Sequence, residues 1–349
     1  MPGVSSSWNE ANSTTPWGSE GPVAYGVVMS LILTTGLAGN ILTIIVLMRR
    51  EHRSKVITPF MINVAVLDLI IIALGYPVAI IANFTGIRMK EGDSRCQWTA
   101  FINGATGIAA IITLTAMSIV MRNTITHPIV KKRLSCKYLF GSLCAIWTYG
   151  ILTMLPPLVG WSKFVPGAAK VSCGPDWETQ NASTLSYNIV LLIVGFVIPV
   201  GIISACYLNI FRFLRSQPVP PAFISITSQR RRAHLRIARM ILVSIISFVI
   251  SWSPYCVVSV IAMVQRAPAL SQGFAEIPEL MAKASVVYNP LVFTVMNRGF
   301  RRSLCRIVRC LGCSVGHGIS RRDGLYIWLG MKDLTDRSSV ISNVAVKKR

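Results

Sequence analysis

Lys283 and Glu279 are the residues with the clearest capacity for chemistry, and both lie in or beside the apolar stretch PELMAKASVVYNPLVF over 278–293. A charged lysine near the middle of a bilayer costs at least about 2.5–3.5 kcal/mol, so its presence there points to a function. Burial favours the neutral amine, which is a nucleophile able to condense with an aldehyde. Glu279 precedes Lys283 by four residues, so on a helix the two side chains are neighbours. The pair therefore predicts a buried amine with a carboxylate partner.

Two other interpretations of Lys283 stay open on the residues alone. The side chain could extend along the helix to the membrane surface, or it could form a purely structural ion pair. Extension is disfavoured because about one helical turn of the segment lies on each side of Lys283. A buried reactive amine is the favoured interpretation.

The segment around Lys283 is one of seven long apolar runs. The chain has 349 residues, of which 52% are hydrophobic and 14% charged, a lower charged share than soluble domains carry. The runs cover residues 24–48, 57–82, 98–121, 138–160, 186–214, 239–264 and 279–297. A run of about 20 apolar residues spans a bilayer as a helix, because its backbone polar groups must pair within the segment. We expect an all-α membrane protein built as a seven-helix bundle, whose first run is retained because no basic residues precede it.

The net charge of +22 is placed unevenly along the chain. Basic residues cluster after the first, third and seventh runs and before the sixth: Arg49, Arg50, Arg53 and Lys55; Lys131, Lys132 and Arg133; Arg298, Arg301, Arg302, Arg306 and Arg309; Arg230, Arg231 and Arg232. By the positive-inside rule these clusters are cytoplasmic, so the N-terminus is extracellular. The distribution favours contact with membrane lipids and argues against nucleic acid as a partner. We expect a multi-pass protein of the plasma membrane.

Residues of the predicted outer segments fit an oxidising, glycosylating compartment. Sequons begin at Asn12, Asn83 and Asn181, all on the predicted outer side, so glycosylation is expected at each. Of nine cysteines, Cys96 and Cys173 lie in outer segments, which predicts a disulfide between them.

Three further cysteines, Cys305, Cys310 and Cys313, lie among arginines just beyond the seventh run. Such cysteines are palmitoylation candidates, Cys310 and Cys313 above all. The alternative is that they are free cytosolic thiols.

Motifs in six places resemble those of the rhodopsin-like G-protein-coupled receptors. They are Gly39-Asn40, NVAVLD ending at Asp68, Trp147, SWSPY over 251–255, NPLVF over 289–293, and the basic amphipathic NRGFRRSL that follows. The resemblance covers residues 24 to 313. It implies an extracellular tail over 1–23, a seven-helix domain over 24–297, an amphipathic cytoplasmic helix over 298–313 and a cytoplasmic tail over 314–349.

Two stretches resemble the opsins in particular. LPPLVGWSKFVP…SCGPDW over 155–177 is similar to the loop that lids the opsin chromophore, and AKASVVYNP over 282–290 places Lys283 at the offset of the retinal-binding lysine. The resemblance implies a retinal Schiff base on Lys283, with the 11-cis isomer in the dark. The chain also departs from the opsin pattern at the positions described below. It therefore resembles a divergent animal opsin of invertebrate or cnidarian type.

The same resemblance implies a chromophore pocket formed by aromatic and small residues. The expected lining residues are Trp252, Phe248, Tyr255, Phe196, Gly104 and Gly107. Phe248 and Tyr255 lie one helical turn before and after Trp252, so the three share a face. An aromatic stripe of this kind is also common in an ordinary core.

The usual opsin counterion positions hold no carboxylate in this chain. Opsins place a glutamate at the positions of Thr99, Gly167 or, more rarely, Ala79. A protonated Schiff base needs a negative partner, so Glu279 is the favoured direct counterion. One alternative is a protonated Glu279 with a bound anion such as chloride beside Thr99 or Ser172. The other is that Glu279 sits in water at the outer end, as Glu276 is expected to do.

The cytoplasmic switch residues also depart from the family pattern. Where the family has an acidic residue, arginine and tyrosine, this chain has Val120-Met121-Arg122, so the arginine is lost or displaced by about 100° around the helix. The acidic partner on helix six is replaced by His234. Asn289 and Pro290 are retained, but the tyrosine that ends that motif is Phe293. The pattern indicates altered G-protein coupling or, alternatively, a loss of signalling.

We interpret the chain as a light-sensing opsin that activates a heterotrimeric G protein, with arrestin and a second copy of itself as further expected partners. A retinal photoisomerase with little signalling is the alternative, and a ligand-gated receptor with an incidental lysine is a third hypothesis. The four histidines are at 52, 127, 234 and 317, all on the predicted cytoplasmic side, with no metal-binding or Ser/His/Asp arrangement. No metal site and no enzymatic activity are expected.

Overall fold

The computed structural model describes residues 20–53, 55–127, 135–167, 169–216, 225–265, 270, 274 and 276–316, with the side chains of 20, 225–231 and 310–316 left out of the description. Almost all of these residues are helical. The α-helices are α1 Glu20–Leu47, α2 Arg50–Arg53, α3 Thr58–Leu74, α4 Tyr76–Thr85, α5 Ser94–Thr126, α6 Cys136–Met154, α7 Ala182–Leu192, α8 Ile198–Ser216, α9 Ser225–Gln265, α10 Glu276–Lys283, α11 Ser285–Met296 and α12 Arg298–Gly316.

These helices form seven spans, as the apolar runs predicted. The spans are α1, α3 with α4, α5, α6, α7 with α8, α9, and α10 with α11. Among the described residues, five helices are long and apolar enough to cross a bilayer: Gly21–Leu47, Thr58–Thr85, Ser94–Thr126, Ala182–Ser216 and Arg232–Gln265. The other two spans are α6, which has 19 residues, and the seventh, which is divided between α10 and α11.

Helix interruptions within the spans have local causes. The second span is interrupted at Gly75, two residues before Pro77, which cannot donate a backbone hydrogen bond. A Cβ on Gly75 would lie 2.0 Å from Asn103 Oδ1, so a larger residue here would force the Asn103 side chain to move. The fifth span contains a π-helical stretch over Ile193–Val197, and Pro254 lies inside the continuous α9.

The ends of two spans differ from the sequence prediction. The fourth was expected to reach residue 160, but α6 ends at Met154 because Pro156 and Pro157 open a 3-10 turn over Pro156–Leu158. The sixth was expected to begin at 239, yet α9 begins at Ser225, because the basic segment before the apolar run continues the same helix.

Polar motif residues join the spans in the interior. Asn40 Nδ2 donates to the backbone oxygen of Val286 at 2.9 Å, which connects α1 to α11. Asn289 Nδ2 donates to Asp68 Oδ2 at 3.3 Å, which connects α11 to α3. These four residues are buried, so their hydrogen bonds replace those that water would otherwise supply.

A short hairpin follows the fourth span, where the sequence predicted an inward-folding loop. Strands β1 Phe164–Pro166 and β2 Cys173–Pro175 pair antiparallel, with Val165 opposite Gly174. β2 is held against α5 by the predicted disulfide between Cys96 and Cys173, whose Cα atoms are 5.3 Å apart. The predicted disulfide is confirmed.

The chain divides between Phe300 and Arg301 into two compact units. The first contains the seven spans and the hairpin. The second begins within α12, the amphipathic helix that the sequence predicted over 298–313. The expected tail beyond it lies almost entirely outside the described residues.

Candidate functional site

The backbone of the seventh span is broken at the lysine. α10 ends at Lys283 and α11 begins at Ser285, and the Val287 N–H bonds to the carbonyl of Ala284 at 3.1 Å rather than to that of Lys283. The carbonyl of Lys283 instead accepts a hydrogen bond of 2.7 Å from the hydroxyl of Tyr76, at the start of α4. The position of Lys283 is therefore fixed by a residue from another span.

The Lys283 ammonium lies against the carboxylate of Glu279. Lys283 is buried with 6% of its side chain exposed, and its Nζ is 2.5 Å from Glu279 Oε1. The other carboxylate oxygen of Glu279 accepts a hydrogen bond from Ser172 Oγ, beside the disulfide in the hairpin. The predicted neighbour relationship is confirmed, and with 21% of its side chain exposed Glu279 is held by two partners rather than surrounded by water.

Glu276 is placed differently from the prediction that it sits in water. Its Oε2 atom is buried and has no hydrogen-bond partner among the described residues. Its carboxyl group lies beside the Tyr25 hydroxyl, which is 3.5 Å from Lys283 Nζ. Glu276 as a whole is partly exposed, but this oxygen is kept from water because helix α1 packs on this side of α10.

An apolar cavity opens beside Lys283 and Glu279. All six residues predicted for the pocket line it: Trp252, Tyr255, Phe248, Phe196, Gly104 and Gly107. Phe248 stacks on Trp252 with ring centroids 5.6 Å apart, and Trp252 meets the edge of Tyr255 at 6.2 Å. An apolar cavity with an amine at its wall is suited to an apolar molecule that carries an aldehyde.

The two predicted glycines have a more specific role than leaving room for a ligand. A Cβ on Gly104 would lie 2.1 Å from Met154 Cε, and one on Gly107 would lie 3.1 Å from the Trp252 ring. The absent side chains let Met154 and Trp252 reach the cavity wall. These glycines therefore shape the cavity through neighbouring side chains.

The hairpin covers the outer end of the cavity. Gly174 and Pro175 of β2 are among its lining residues. Trp177 Nε1 donates to the Tyr255 hydroxyl at 3.1 Å, and the two rings meet edge to face with centroids 6.4 Å apart. A continuous series of aromatic rings thus leads from the hairpin to Phe248 in α9.

Thr99 occupies the position at which opsins usually carry the counterion, but its hydroxyl is bonded within its own helix. The residue is buried, and its Oγ1 donates to the backbone oxygen of Arg95 at 2.9 Å in its own helix. Ala79 is buried as well, and Gly167 lies at the turn of the hairpin, where its N–H bonds to the carbonyl of Ser172.

Two of the residues predicted to form the cytoplasmic switch, Met121 and Arg122, lie near the end of α5 that is opposite to the disulfide. Met121 is buried, whereas Arg122 is partly exposed and donates to Asn123 Oδ1 at 3.1 Å. His234 lies in α9, and Phe293 packs edge to face against Phe300 at 6.3 Å. Arg122 lies in a cleft between α5 and α8, which is lined also by Thr126, His127, Asn209, Arg212, Phe213 and Ser216.

The three sequons have different outcomes. Asn83 is 4% exposed within α4, and its Nδ2 donates to the backbone oxygen of Ala79 at 2.8 Å, so this conformation leaves no access for a glycan. Asn181 is exposed at the start of α7, where its Oδ1 accepts from the Thr184 N–H. Asn12 lies outside the described residues. Asn83 is therefore withdrawn as a glycosylation site, and Asn181 stays a prediction.

The palmitoylation candidates are only partly described. Cys305 is exposed and carries a free thiol. The side chains of Cys310 and Cys313 lie outside the described part of the chain, so their modification stays a prediction.

Comparison with known proteins decides the family. The model of the "7 transmembrane receptor (rhodopsin family)" matches residues 39–293. A melanopsin of Phodopus sungorus is 30% identical over 337 residues, covering 93% of this chain and 71% of the relative. The chain belongs to the animal opsins, within the rhodopsin family of seven-transmembrane receptors.

Other relatives support the same assignment to the opsin family. The protein "Rhodopsin, GQ-coupled" of Mizuhopecten yessoensis is 30% identical over 299 residues, which are 82% of this chain and 60% of that protein. The crystal structure of squid rhodopsin has a TM-score of 0.76 at 23% identity, covering 89% of this chain and 91% of the squid chain, and shows the same fold. The chain is thus a light-sensing, multi-pass membrane receptor, and its relatives imply a retinal chromophore.

Sequence reasoning missed four residues of this opsin's site: Tyr25, Tyr76, Trp177 and Glu276. Tyr25 and Tyr76 reach Lys283 from other spans, so no spacing in the sequence connects them to it. Glu276 precedes Glu279 by three residues, and that helical spacing was the available indication that both carboxyl groups share a face.

Proposed function

We propose that this opsin holds retinal on Lys283 Nζ as a Schiff base, and that light absorbed there activates a heterotrimeric G protein. The observation that carries the proposal is a buried lysine, paired with a carboxylate, at the wall of an apolar and aromatic cavity. When bound, retinal supplies light absorption and a change of shape, starting from the 11-cis form expected in the dark. Trp252, Tyr255 and Phe196 provide the surface that would hold it.

Glu279 is proposed as the direct counterion of the nitrogen on Lys283. Its distance of 2.5 Å from Nζ supports this role, and the Ser172 hydroxyl, which donates to the second oxygen, holds the carboxyl group in place. Thr99, the alternative place for an anion, uses its hydroxyl within its own helix. Glu279 therefore keeps the nitrogen protonated, which visible absorption requires.

Signalling is proposed to pass through α9. Trp252 lines the cavity, and α9 continues from it to Ser225 at its cytoplasmic end. Pro254 removes one backbone hydrogen bond from this helix and gives it a place to bend. The relative from Mizuhopecten yessoensis, named for coupling to GQ, supports a G protein as the partner. The basic clusters support an extracellular N-terminus and a plasma-membrane location.

The signalling proposal is tested in cells that express the chain and are supplied with 11-cis-retinal. Calcium and cyclic nucleotide reporters should respond to light in wild type and not in Lys283→Ala. A response that persists in Lys283→Ala would overturn the proposal. Retinoid extraction is the second measurement: all-trans-retinal bound in the dark, with 11-cis released on illumination and no reporter response, would establish the photoisomerase alternative.

The counterion proposal is tested by titrating the visible band with pH, with and without chloride. Glu279→Gln should lose the band at a lower pH than wild type, whereas Glu91→Gln, an exposed acid paired with Lys163, should not differ from wild type. An unchanged titration in Glu279→Gln would rule out the direct role. A wild-type band that shifts with chloride would identify an inorganic anion as the counterion instead.

A further inference from the structure

A second carboxyl group reaches the Lys283 nitrogen through Tyr25. The Tyr25 side chain is buried between α1 and α10, and its hydroxyl is 3.5 Å from Lys283 Nζ, the outer limit of a hydrogen bond. The carboxyl group of Glu276 also lies beside this hydroxyl, close enough to interact with it. Tyr25 therefore lies between the lysine nitrogen and Glu276, on a different side from Glu279.

The charges of this cluster do not balance if both glutamates are ionised. Lys283 supplies one positive charge, and Glu279 satisfies it directly with Ser172 as its second partner. Glu276 would then add a second negative charge close to the first, with a buried oxygen that has no partner among the described residues. A like charge nearby and an unpaired buried oxygen both favour the protonated form of a carboxyl group.

Other described titratable groups near Glu276 do not supply the missing charge. Tyr25 and Tyr76 are neutral phenols. Arg88, in the segment after α4, is exposed and donates its guanidinium to the backbone oxygen of Ala169. The cationic group facing this cluster from within the protein is Lys283, already paired with Glu279.

We propose that Glu276 is a second proton-binding carboxyl group of the Lys283 site, and that Tyr25 relays its proton to the Lys283 nitrogen. When that nitrogen has lost its proton, the Tyr25 O–H donates to it while the Glu276 O–H donates to the Tyr25 oxygen. The nitrogen becomes cationic, Glu276 becomes a carboxylate and Tyr25 is unchanged, so protons and charge balance. Glu276 thus acts as a proton reserve on the outer side.

The proposal rests on the proposed function for its photochemical consequence but not for the protonation of Glu276. The first test therefore uses the retinal-free full chain in lipid nanodiscs. Infrared spectra are recorded about two pH units above the ordinary glutamate value of about 4.3, where only unusual carboxyl groups stay protonated. Wild type should show a protonated-carboxyl band that Glu276→Gln lacks and Glu91→Gln retains, and Tyr25→Phe should shift this band. Identical spectra for wild type and Glu276→Gln would overturn the proposal.

The second test follows the visible band after a flash, in chains reconstituted with 11-cis-retinal. Return of the proton to the nitrogen should slow about tenfold or more in Tyr25→Phe and in Glu276→Gln, an effect equivalent to about 1.4 kcal/mol in the barrier. Unchanged rates in both variants would overturn the relay. Absence of any visible band in wild type would contradict the proposed function, while the infrared result would still decide whether Glu276 holds a proton.

Discussion

The hydroxyl of Tyr76 donates a hydrogen bond of 2.7 Å to the backbone oxygen of Lys283, across the gap between α4 and α10. This bond satisfies a carbonyl that the break at Ala284 leaves without its usual helical partner. Because Tyr76 is fully buried, water cannot take its place. Tyr76 thus sets the direction in which the Lys283 side chain leaves the helix.

Tyr76→Phe should destabilise the protein by about 1–3 kcal/mol, because the buried carbonyl of Lys283 is left without a donor. Thermal unfolding of the retinal-free protein measures the loss. Tyr138→Phe, at an exposed position in α6, is the control and should unfold as wild type does. Equal stability of the two variants would show that the break at Ala284 does not depend on Tyr76.

Trp177→Phe should loosen the hairpin over the cavity while keeping an aromatic ring in place. It removes the Nε1–H that donates to Tyr255 together with one ring of the indole, and the lost hydrogen bond alone should cost about 0.5–1.5 kcal/mol. The measurement is thermal unfolding, together with the rate at which hydroxylamine bleaches the pigment, which should rise. A cycle with Tyr255→Phe should show non-additivity, because the two residues share one bond. Fully additive effects would contradict the coupling.

Stability should fall as the pH is lowered through the ordinary histidine range. His52, in α2 outside the spans, is 2% exposed, and burial followed by the positive charge of Lys55 lowers its pKa from the ordinary value of 6.5. The unfolded chain then takes up the proton first, so acid below about pH 6.5 favours unfolding. His52→Gln should flatten the dependence between about pH 7 and 5. Lys55→Met should flatten it less, and an unchanged slope in His52→Gln would refute the prediction.

Moving the arginine back to the family position should change the activity in the dark. In Met121→Arg/Arg122→Tyr, the guanidinium occupies a buried position with a histidine, His234, where the family has an acid. Adding His234→Glu supplies a carboxylate partner for the new arginine. An ion pair worth about 1 kcal/mol in the inactive state would lower basal activity about fivefold relative to the double variant. A second-messenger reporter in the dark checks this. Equal basal activity in wild type and both variants would contradict a switch role for Met121 and Arg122.

Periodicity within one helix was enough to predict much of the site. The spacing of Glu279 and Lys283 predicted their contact, and that of Phe248, Trp252 and Tyr255 predicted a shared aromatic face. Both follow from 3.6 residues per turn. The disulfide also followed from the sequence, since Cys96 and Cys173 fell in outer segments.

Contacts between spans were beyond such reasoning. The buried oxygen of Glu276 lies near Tyr25 in α1, and the carbonyl freed at the break in the seventh span is bonded by Tyr76 in α4. Neither tyrosine is close in sequence to the residue that it contacts. Asn83 was expected to be a glycan acceptor because its sequon falls on the predicted outer side, yet its side chain is buried within α4. These contacts depend on how neighbouring helices are aligned with each other. The sequence of a single helix does not specify that alignment.

The absorption spectrum of the chain reconstituted with 11-cis-retinal, in the dark and after illumination, tests the central claim most directly. The account predicts a visible band in wild type that light shifts, and that is lost in Lys283→Ala but kept in Lys90→Ala, a control lysine on the exposed outer loop. A visible band of equal strength in Lys283→Ala, or none in wild type, would contradict Lys283 as the site of the chromophore.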